Sequence, residues 1–353
     1  MDTSRGKHIA SVGTVVPERT IIQAEAIEVI EKHYKGKISN ESMELARRIF
    51  GHPSVKTRHI AINDPAFLIN EDLDARIKRF TENALQLSCD ASLSAMKTAG
   101  LKPQDITGIV VNTCTGYVCP GISTYIIEKL GLRRDIPAYD LVGAGCGGAV
   151  PNLNMSRALL DDRLGSAVLS VSVEICTAAF HMDDDISLIV SNAIFGDGAS
   201  ACVLWNRPQG IELLDCALIH APEHREKIRF IHKNGQLINQ LSADLPRVVG
   251  KVAAELVSRL LKKNGLLVAD VKHWALHAGG ENVINAVKDE LGLTEPQVRW
   301  ARKVLSEYGN ISSPSAIFAL KQILGSGIAT GDWGIIVAFG AGMSAYACLF
   351  RKI

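Results

Sequence analysis

Two stretches of this chain match each other when slid by 165 positions: Ala99-Gly100-Leu101, Asp105-Ile106 and Ile109-Val110-Val111 fall on Asn264-Gly265-Leu266, Asp270-Val271 and Trp274-Ala275-Leu276. Each reads as a helix ended by glycine, a short turn and a strand. A slide of 164 carries Cys146 onto Asn310, and one of 167 carries residues 167–173 onto 334–340. Offsets this similar predict two copies of one α/β unit whose equivalent strand ends meet near a pseudo-symmetry axis. The boundary is placed after Leu204-Trp205-Asn206-Arg207-Pro208, giving halves 1–207 and 208–353, with residues 220–242 read as a polar, irregular connection. Helices are expected over 23–34, 79–98, 246–263 and 283–291, between β-branched runs.

The duplication directs attention to three residues. Gly145-Cys146-Gly147 lies where the strand-like run 138–142 passes to the helix-like run 152–160. A thiolate is the reactive form of cysteine, and a helix N-terminus favours negative charge, so the position suits a nucleophile of lowered pKa. His277 follows the strand 274–276 and holds the strand-end place that Asn112 holds in the first half. Asn310 sits in Tyr308-Gly309-Asn310-Ile311-Ser312-Ser313, a turn leading to a helix over 316–324, as Cys146 leads to its own. Taken singly, a cysteine is more often a core residue, a histidine structural and an asparagine a turn residue. Together, the thiolate attacks a carbonyl, His277 takes the thiol proton and pairs with the sulfur, and Asn310 donates to a developing oxyanion. That set suits acyl transfer. Papain-like hydrolases share the order Cys, His, Asn, but their nucleophile lies near the mature N-terminus in a different context.

Composition narrows the classes. The 353 residues are 47% hydrophobic and 21% charged, enough for a large core. With 38 basic and 37 acidic residues there is no charge footprint for nucleic acid or an anionic membrane. Eight cysteines, at 89, 114, 119, 146, 176, 202, 216 and 348, lie mostly in apolar runs and predict neither a disulfide framework nor a metal site. A reducing, cytoplasmic compartment is expected, because Met1-Asp2-Thr3-Ser4-Arg5 opens no signal peptide. The uncharged run 333–350 is broken by Gly334, Gly340 and Gly342, and reads as two buried strands around a turn rather than a membrane span.

Five motifs, in order, resemble the type III polyketide synthases, the chalcone and stilbene synthase family of the thiolase superfamily. They are Gly145-Cys146-Gly147, Ile194-Phe195-Gly196-Asp197-Gly198-Ala199, His277-Ala278-Gly279-Gly280, Tyr308 to Ser313, and Ala338-Phe339-Gly340-Ala341-Gly342. The resemblance implies a thiolase-like, five-layered αβαβα fold and a homodimer. It implies that Cys146 carries the growing chain as a thioester, while His277 and Asn310 hold a malonyl thioester and stabilise the enolate formed on decarboxylation. No cofactor is implied beyond malonyl-CoA and acyl-CoA, or phosphopantetheine thioesters, as substrates. Phe195 resembles the family's aromatic gatekeeper. Thr115, Glu174, Cys176, Ala179 and Ser191 resemble cavity-wall residues, and Cys119 resembles the side chain that reaches into the partner subunit. Arg48 and Lys56 resemble CoA-phosphate contacts, their other reading being a solvated helix face. The loop from Gly340 to Gly342 is expected to shape the cavity floor and lend an N–H to an oxyanion.

Departures from the plant pattern bear on substrate delivery. The second gatekeeper phenylalanine falls on Asn239, and two CoA-contacting lysines fall on Leu45 and His52, which leaves room for an acyl carrier protein as one donor. Asp140-Leu141-Val142-Gly143, Thr113-Cys114-Thr115-Gly116 and residues 174–179 are most similar to the bacterial 3,5-dihydroxyphenylacetyl-CoA synthase type, which works from malonyl-CoA alone. A ketoacyl-ACP synthase III shares the three residues and stops after one condensation. Hydroxymethylglutaryl-CoA synthase would need a glutamate base, for which Glu174 is the candidate, and a non-catalytic scaffold would not need the three residues.

Overall fold

The structure, a computed structural model, describes residues 6–69, 71–161, 165–233 and 235–353. Met1 to Arg5, on which the expectation about export rests, lies outside the described residues.

The first half runs β1 (His8–Val15), β2 (Thr20–Ile22), α1 (Gln23–Tyr34), α2 (Asn40–Phe50), β3 (Thr57–His59), α3 (Leu73–Ala99), β4 (Gly108–Asn112), α4 (Ile122–Leu130), β5 (Ala138–Leu141), α5 (Ala149–Leu159), β6 (Ala167–Glu174), α6 (Ile186–Ile194) and β7 (Gly198–Trp205). The second runs β8 (Ile211–His220), β9 (Ile228–Lys233), β10 (Gln236–Leu241), α7 (Leu245–Lys263), β11 (Val271–Leu276), α8 (Glu281–Leu291), α9 (Glu295–Tyr308), α10 (Ser315–Gly325), β12 (Trp333–Gly340) and β13 (Ser344–Lys352).

The duplication is visible atom by atom. Gly100 and Gly265 end α3 and α7 with φ of 73° and 68°, the left-handed turn that glycine adopts without a Cβ clash. Leu101 N–H then returns to Met96 O, and Leu266 N–H to Leu261 O, both at 2.9 Å. Asp105 and Asp270 each accept from the backbone N–H three residues earlier at 2.7 Å. Strand order repeats as well. In the first half β1-β7-β6-β4 pair antiparallel, antiparallel and parallel, and β8-β13-β12-β11 do the same in the second. β5 is an extra edge strand on β4.

Helix α5 packs on β4 and β6 of one half and on β12 and β13 of the other, with α10 beside it on β11 and β12. Outside, α3 covers β1, β7 and β6, and α7 covers β8 and β13. That is the thiolase-like αβαβα stack. Residues buried on both sheet faces explain the continuous apolar runs of β6, β7, β12 and β13. The halves are not separate sheets: His8 and Ile9 of β1 pair with Glu212 and Ile211 of β8, so all nine strands hydrogen-bond in one order.

Two expectations are corrected. Residues 220–242 contain an antiparallel hairpin, β9 and β10, in register from Ile228↔Leu241 to Lys233↔Gln236. Arg229, His232 and Lys233 interrupt its apolar pattern: Arg229 is half-buried beside the cavity, and His232 and Lys233 lie exposed at the end of β9. The cysteines are not all free, since Cys216 and Cys348 face each other across β8 and β13, with Cα atoms 4.2 Å apart, and are joined by a disulfide. Neighbouring strands hold facing side chains at disulfide distance, a pairing that spacing along 132 residues cannot show.

Among the described residues, no helix is long and apolar enough to cross a membrane, and no cluster of His, Cys, Asp and Glu could hold a metal ion.

Candidate active site

Cys146 sits in a 3-10 turn, Gly145–Gly147, just ahead of α5. Gly340 makes that placement possible. A Cβ there would lie 2.1 Å from Ala144 O and 2.6 Å from Gly147 N, so the end of β12 touches the Cys146 turn backbone to backbone. His277 leaves the end of β11, its N–H bonded to Val337 O of β12 at 2.9 Å. Asn310 follows α9 and forms a lone β-bridge with Phe195, which follows α6; Asn310 N–H reaches Ile194 O at 2.7 Å, and Gly196 N–H reaches Asn310 O at 3.1 Å. Four elements from both halves thus meet at one point.

Cys146, His277 and Asn310 all line one cavity, about 1330 Å³ of atom-free space including its open mouth. Phe195, Thr115, Cys176, Ala179, Ser191 and Asn239 line it too. Asn239 Nδ2 donates to Ser191 Oγ at 2.9 Å, which joins β10 to α6 across the cavity.

Other expected residues lie elsewhere. Glu174 is fully buried behind the wall rather than on it. Its carboxylate accepts from the N–H groups of Cys114 and Thr115 at 2.9 and 3.1 Å and from Ser313 Oγ at 2.6 Å, tying the loop after β4 to the Asn310 turn. That full set of donors leaves it poorly placed as a base for substrate. Gly340 and Gly342 do not line the cavity. Gly342 N–H is bonded to Ile228 O at 3.3 Å, and Ala341 between them is the loop residue that faces inward. Arg48, in the last turn of α2, and Lys56 are exposed and are not among the described residues that line the cavity. Cys119 is exposed and precedes a cis peptide bond to Pro120.

Three residues with a place in the site went unread in the sequence. Ser312, at φ 53°, gives its Oγ–H to Cys146 Sγ at 3.3 Å and its N–H to Asn310 Oδ1 at 2.9 Å. Cys114 Sγ lies 3.3 Å from Ser312 Oγ on the other side. Arg58, buried, holds the end of α6 by donating from Nη1 to Asn192 O at 2.6 Å and Phe195 O at 3.1 Å. Ser312 sits inside a recognised motif, so its signal was present. Arg58 gave none, because a short exposed-looking strand, Thr57–His59, hides a buried charge.

Desolvation works against the expected ion pair. Burial pushes the Cys146 thiol up to about 12, with the Ser312 hydroxyl opposing and the nearby Glu174 carboxylate adding to the rise. Burial holds His277 down to about 3, and its Nδ1 is buried with no hydrogen-bond partner among the described residues. Burial of both groups favours the neutral thiol and the neutral imidazole over the charged pair. The short turn in front of α5 does not outweigh desolvation.

Asn310 is oriented by its own turn. Its Oδ1 takes the Ser312 N–H, so Nδ2 carries the donors; one reaches Gly279 O at 3.3 Å and the other is left for a ligand in the cavity. A neutral imidazole and a carboxamide can both donate to an oxyanion.

Comparison with known proteins decides the family. The family model "FAE1/Type III polyketide synthase-like protein" matches residues 16–263, and "Chalcone and stilbene synthases, C-terminal domain" matches residues 216–353. The chain belongs to the type III polyketide synthase family. This type III polyketide synthase is 29% identical over 97% of its length to 3,5-dihydroxyphenylacetyl-CoA synthase of Streptomyces toyocaensis, covering 89% of that protein. It is 28% identical to the enzyme of the same name from Amycolatopsis balhimycina, over 97% and 92% of the two chains. In structure the synthase superimposes on PKS-I of the brown alga Ectocarpus siliculosus with a TM-score of 0.91 and 27% identity, each chain fully covered. The C-terminal type III polyketide synthase domain of Steely1 from Dictyostelium gives 0.91 and 25% over 99% of both chains.

Proposed function

We propose that this synthase catalyses decarboxylative Claisen condensation of malonyl-CoA units onto an acyl group held as a thioester on Cys146, releasing a pyrone, resorcinol or related polyketide. The observation that carries the reading is the convergence of Cys146, His277 and Asn310 on one largely apolar cavity. Cys146 receives the acyl group. His277 and Asn310 donate to the thioester oxygen of the malonyl unit, where negative charge develops as carbon dioxide leaves. A neutral His277 suits this role, because donors fixed in place before the reaction need no reorganisation when charge appears.

The raised thiol pKa makes thiolate formation part of the loading step. Ser312 Oγ–H donates to the Cys146 sulfur and His277 shares the chamber, so the thiol proton passes to His277 as the sulfur attacks the incoming thioester. No cofactor is required beyond the CoA or phosphopantetheine arm of the substrates. Arg48 and Lys56 outside the cavity are assigned to the CoA phosphates, with an acyl carrier protein as a second possible donor. Cys119, exposed beside Pro120, is assigned to the contact between two copies in a homodimer working in the cytoplasm.

Incubation with malonyl-CoA and a panel of acyl-CoA starters, read by intact-protein mass and product analysis, tests the proposal. The expected result is a mass increase on Cys146 and products with two or more extensions. A single β-ketoacyl product would indicate a ketoacyl synthase instead, and no mass increase with any thioester would remove the condensing reading.

A further inference from the structure

One part of the cavity is not used by the three central residues. Besides Arg58, its lining takes in Ala26, Val29 and Ile30 of α1, Phe50 of α2, and Leu68 and Ile69 of the 3-10 turn Pro65–Ile69, the arm of the cavity made by these elements. Every one of these side chains is aliphatic or aromatic. Ala26, Ile30, Phe50 and Leu68 are buried, whereas Val29 and Ile69 are half-buried and mark its outer end.

We infer that this arm seats the hydrocarbon tail of an aliphatic acyl starter, so that the enzyme is loaded preferentially by medium- and long-chain acyl-CoA. The inference rests on the condensing reading above. Among the described residues lining the whole cavity, Arg58 and Arg229 are the guanidinium groups and there is no lysine, aspartate or glutamate. Arg58 stands at the junction, but it is engaged: Nε donates to Gln23 Oε1 at 3.0 Å, and Nη1 holds the two carbonyls at the end of α6. Its cationic face lies over the Phe50 ring, 5.6 Å from the centroid. A malonyl carboxylate entering the arm would lose its hydration to apolar walls and find no unengaged partner. Water would find none either, and a methylene chain filling the arm removes apolar surface from water at both sides of the contact.

The argument predicts a dependence on chain length. Each methylene buried is worth about fourfold in binding, so four more carbons should increase kcat/KM for loading by roughly two orders of magnitude until the arm is full. This trend would set the enzyme apart from one that works from malonyl units alone.

The test is acylation of Cys146 in the full-length enzyme by butanoyl-, hexanoyl-, decanoyl- and tetradecanoyl-CoA, followed by quenched intact mass, together with malonyl-CoA decarboxylation in the same preparation. The expected result is a rise of at least tenfold from hexanoyl to the best longer chain. Ala26→Phe should fill the arm and lower loading by decanoyl-CoA at least tenfold more than loading by butanoyl-CoA. Ala26 is buried in a helix face, so Val29→Trp at the outer end provides a second variant with the same expected selectivity. Rates that are flat or fall with length, with decarboxylation intact, would overturn the inference and leave the condensing reading standing. Variants that slow all four thioesters equally would overturn it as well. No acylation by any thioester and no decarboxylation would overturn both.

Discussion

Ser312 Oγ donates to Cys146 Sγ at 3.3 Å from a residue whose backbone is left-handed, with φ 53°. The same residue's N–H fixes Asn310 Oδ1. One turn therefore holds the hydrogen-bond partner of Cys146 and the orientation of the Asn310 carboxamide. A non-glycine residue at this φ costs energy, which the surrounding contacts offset.

Ser312→Ala keeps the backbone N–H and removes the hydroxyl. A hydrogen bond of this kind is worth about 0.5–1.5 kcal/mol, and it favours the thiolate. Alkylation of Cys146 by iodoacetamide at fixed pH should slow by about two- to tenfold, with Asn310-dependent decarboxylation little changed. Equal alkylation rates in the variant and the parent would show that Ser312 does not act on the sulfur.

The pH dependence of alkylation separates a neutral pair from an ion pair. With the thiol raised to about 12 and His277 lowered to about 3, the free enzyme holds little thiolate between those values. The rate should climb steadily through pH 9 with no plateau near pH 6–8; a plateau there would demonstrate a thiolate–imidazolium pair. The same shifts act on stability. Unfolded His277 takes a proton near pH 6.5 and folded His277 does not until about 3, so the unfolded state binds more protons between those values and stability falls as pH drops through that window. Above pH 9 the unfolded Cys146 thiol ionises first, so stability also falls as pH rises toward 12. His277→Gln should flatten the acid limb in urea titrations at pH 4 and 7.

Cys146→Ala and Asn310→Ala should separate the two half-reactions. Cys146→Ala loses acylation and extension but retains malonyl-CoA decarboxylation, because the oxyanion donors remain. Asn310→Ala should slow decarboxylation by about 10²–10³-fold, the usual cost of one such donor. If Cys146→Ala still extended chains, another residue would be the nucleophile.

Gly340→Ala tests the contact beneath the nucleophile. Its Cβ would meet backbone atoms at 2.1 and 2.6 Å, which cannot swing aside as a side chain does. Overpacking of this type costs about 1–3 kcal/mol. A lower melting temperature should accompany loss of Cys146 acylation, and wild-type values for both would mean that the turn and β12 can separate freely.

Thiol titration of the denatured protein should find six reactive cysteines before reduction and eight after, given the Cys216–Cys348 bond and the six free cysteines. Eight before reduction would show that the two strands face each other with their thiols unjoined.

Much of this protein was legible in the sequence because its signals are local or repeated. Gly100 and Gly265 end equivalent helices, the buried strands read as apolar runs, and the duplication puts Asn112 and His277 at equivalent strand ends. The family motifs carried the three central residues. Chemistry that depends on distance did not show. Glu174 looks like a wall residue until its donors from Cys114, Thr115 and Ser313 are seen, and Arg58 looks like a surface cation until it is found beneath α6. The hairpin of β9 and β10 was hidden by the basic residues Arg229, His232 and Lys233 that break its apolar run, and the disulfide by 132 intervening residues. Chain order and side-chain type thus determined the repeated α/β plan and named the reactive groups. The tertiary structure decided their protonation and their partners, because desolvation and hydrogen bonding are properties of the assembled interior and of no single segment.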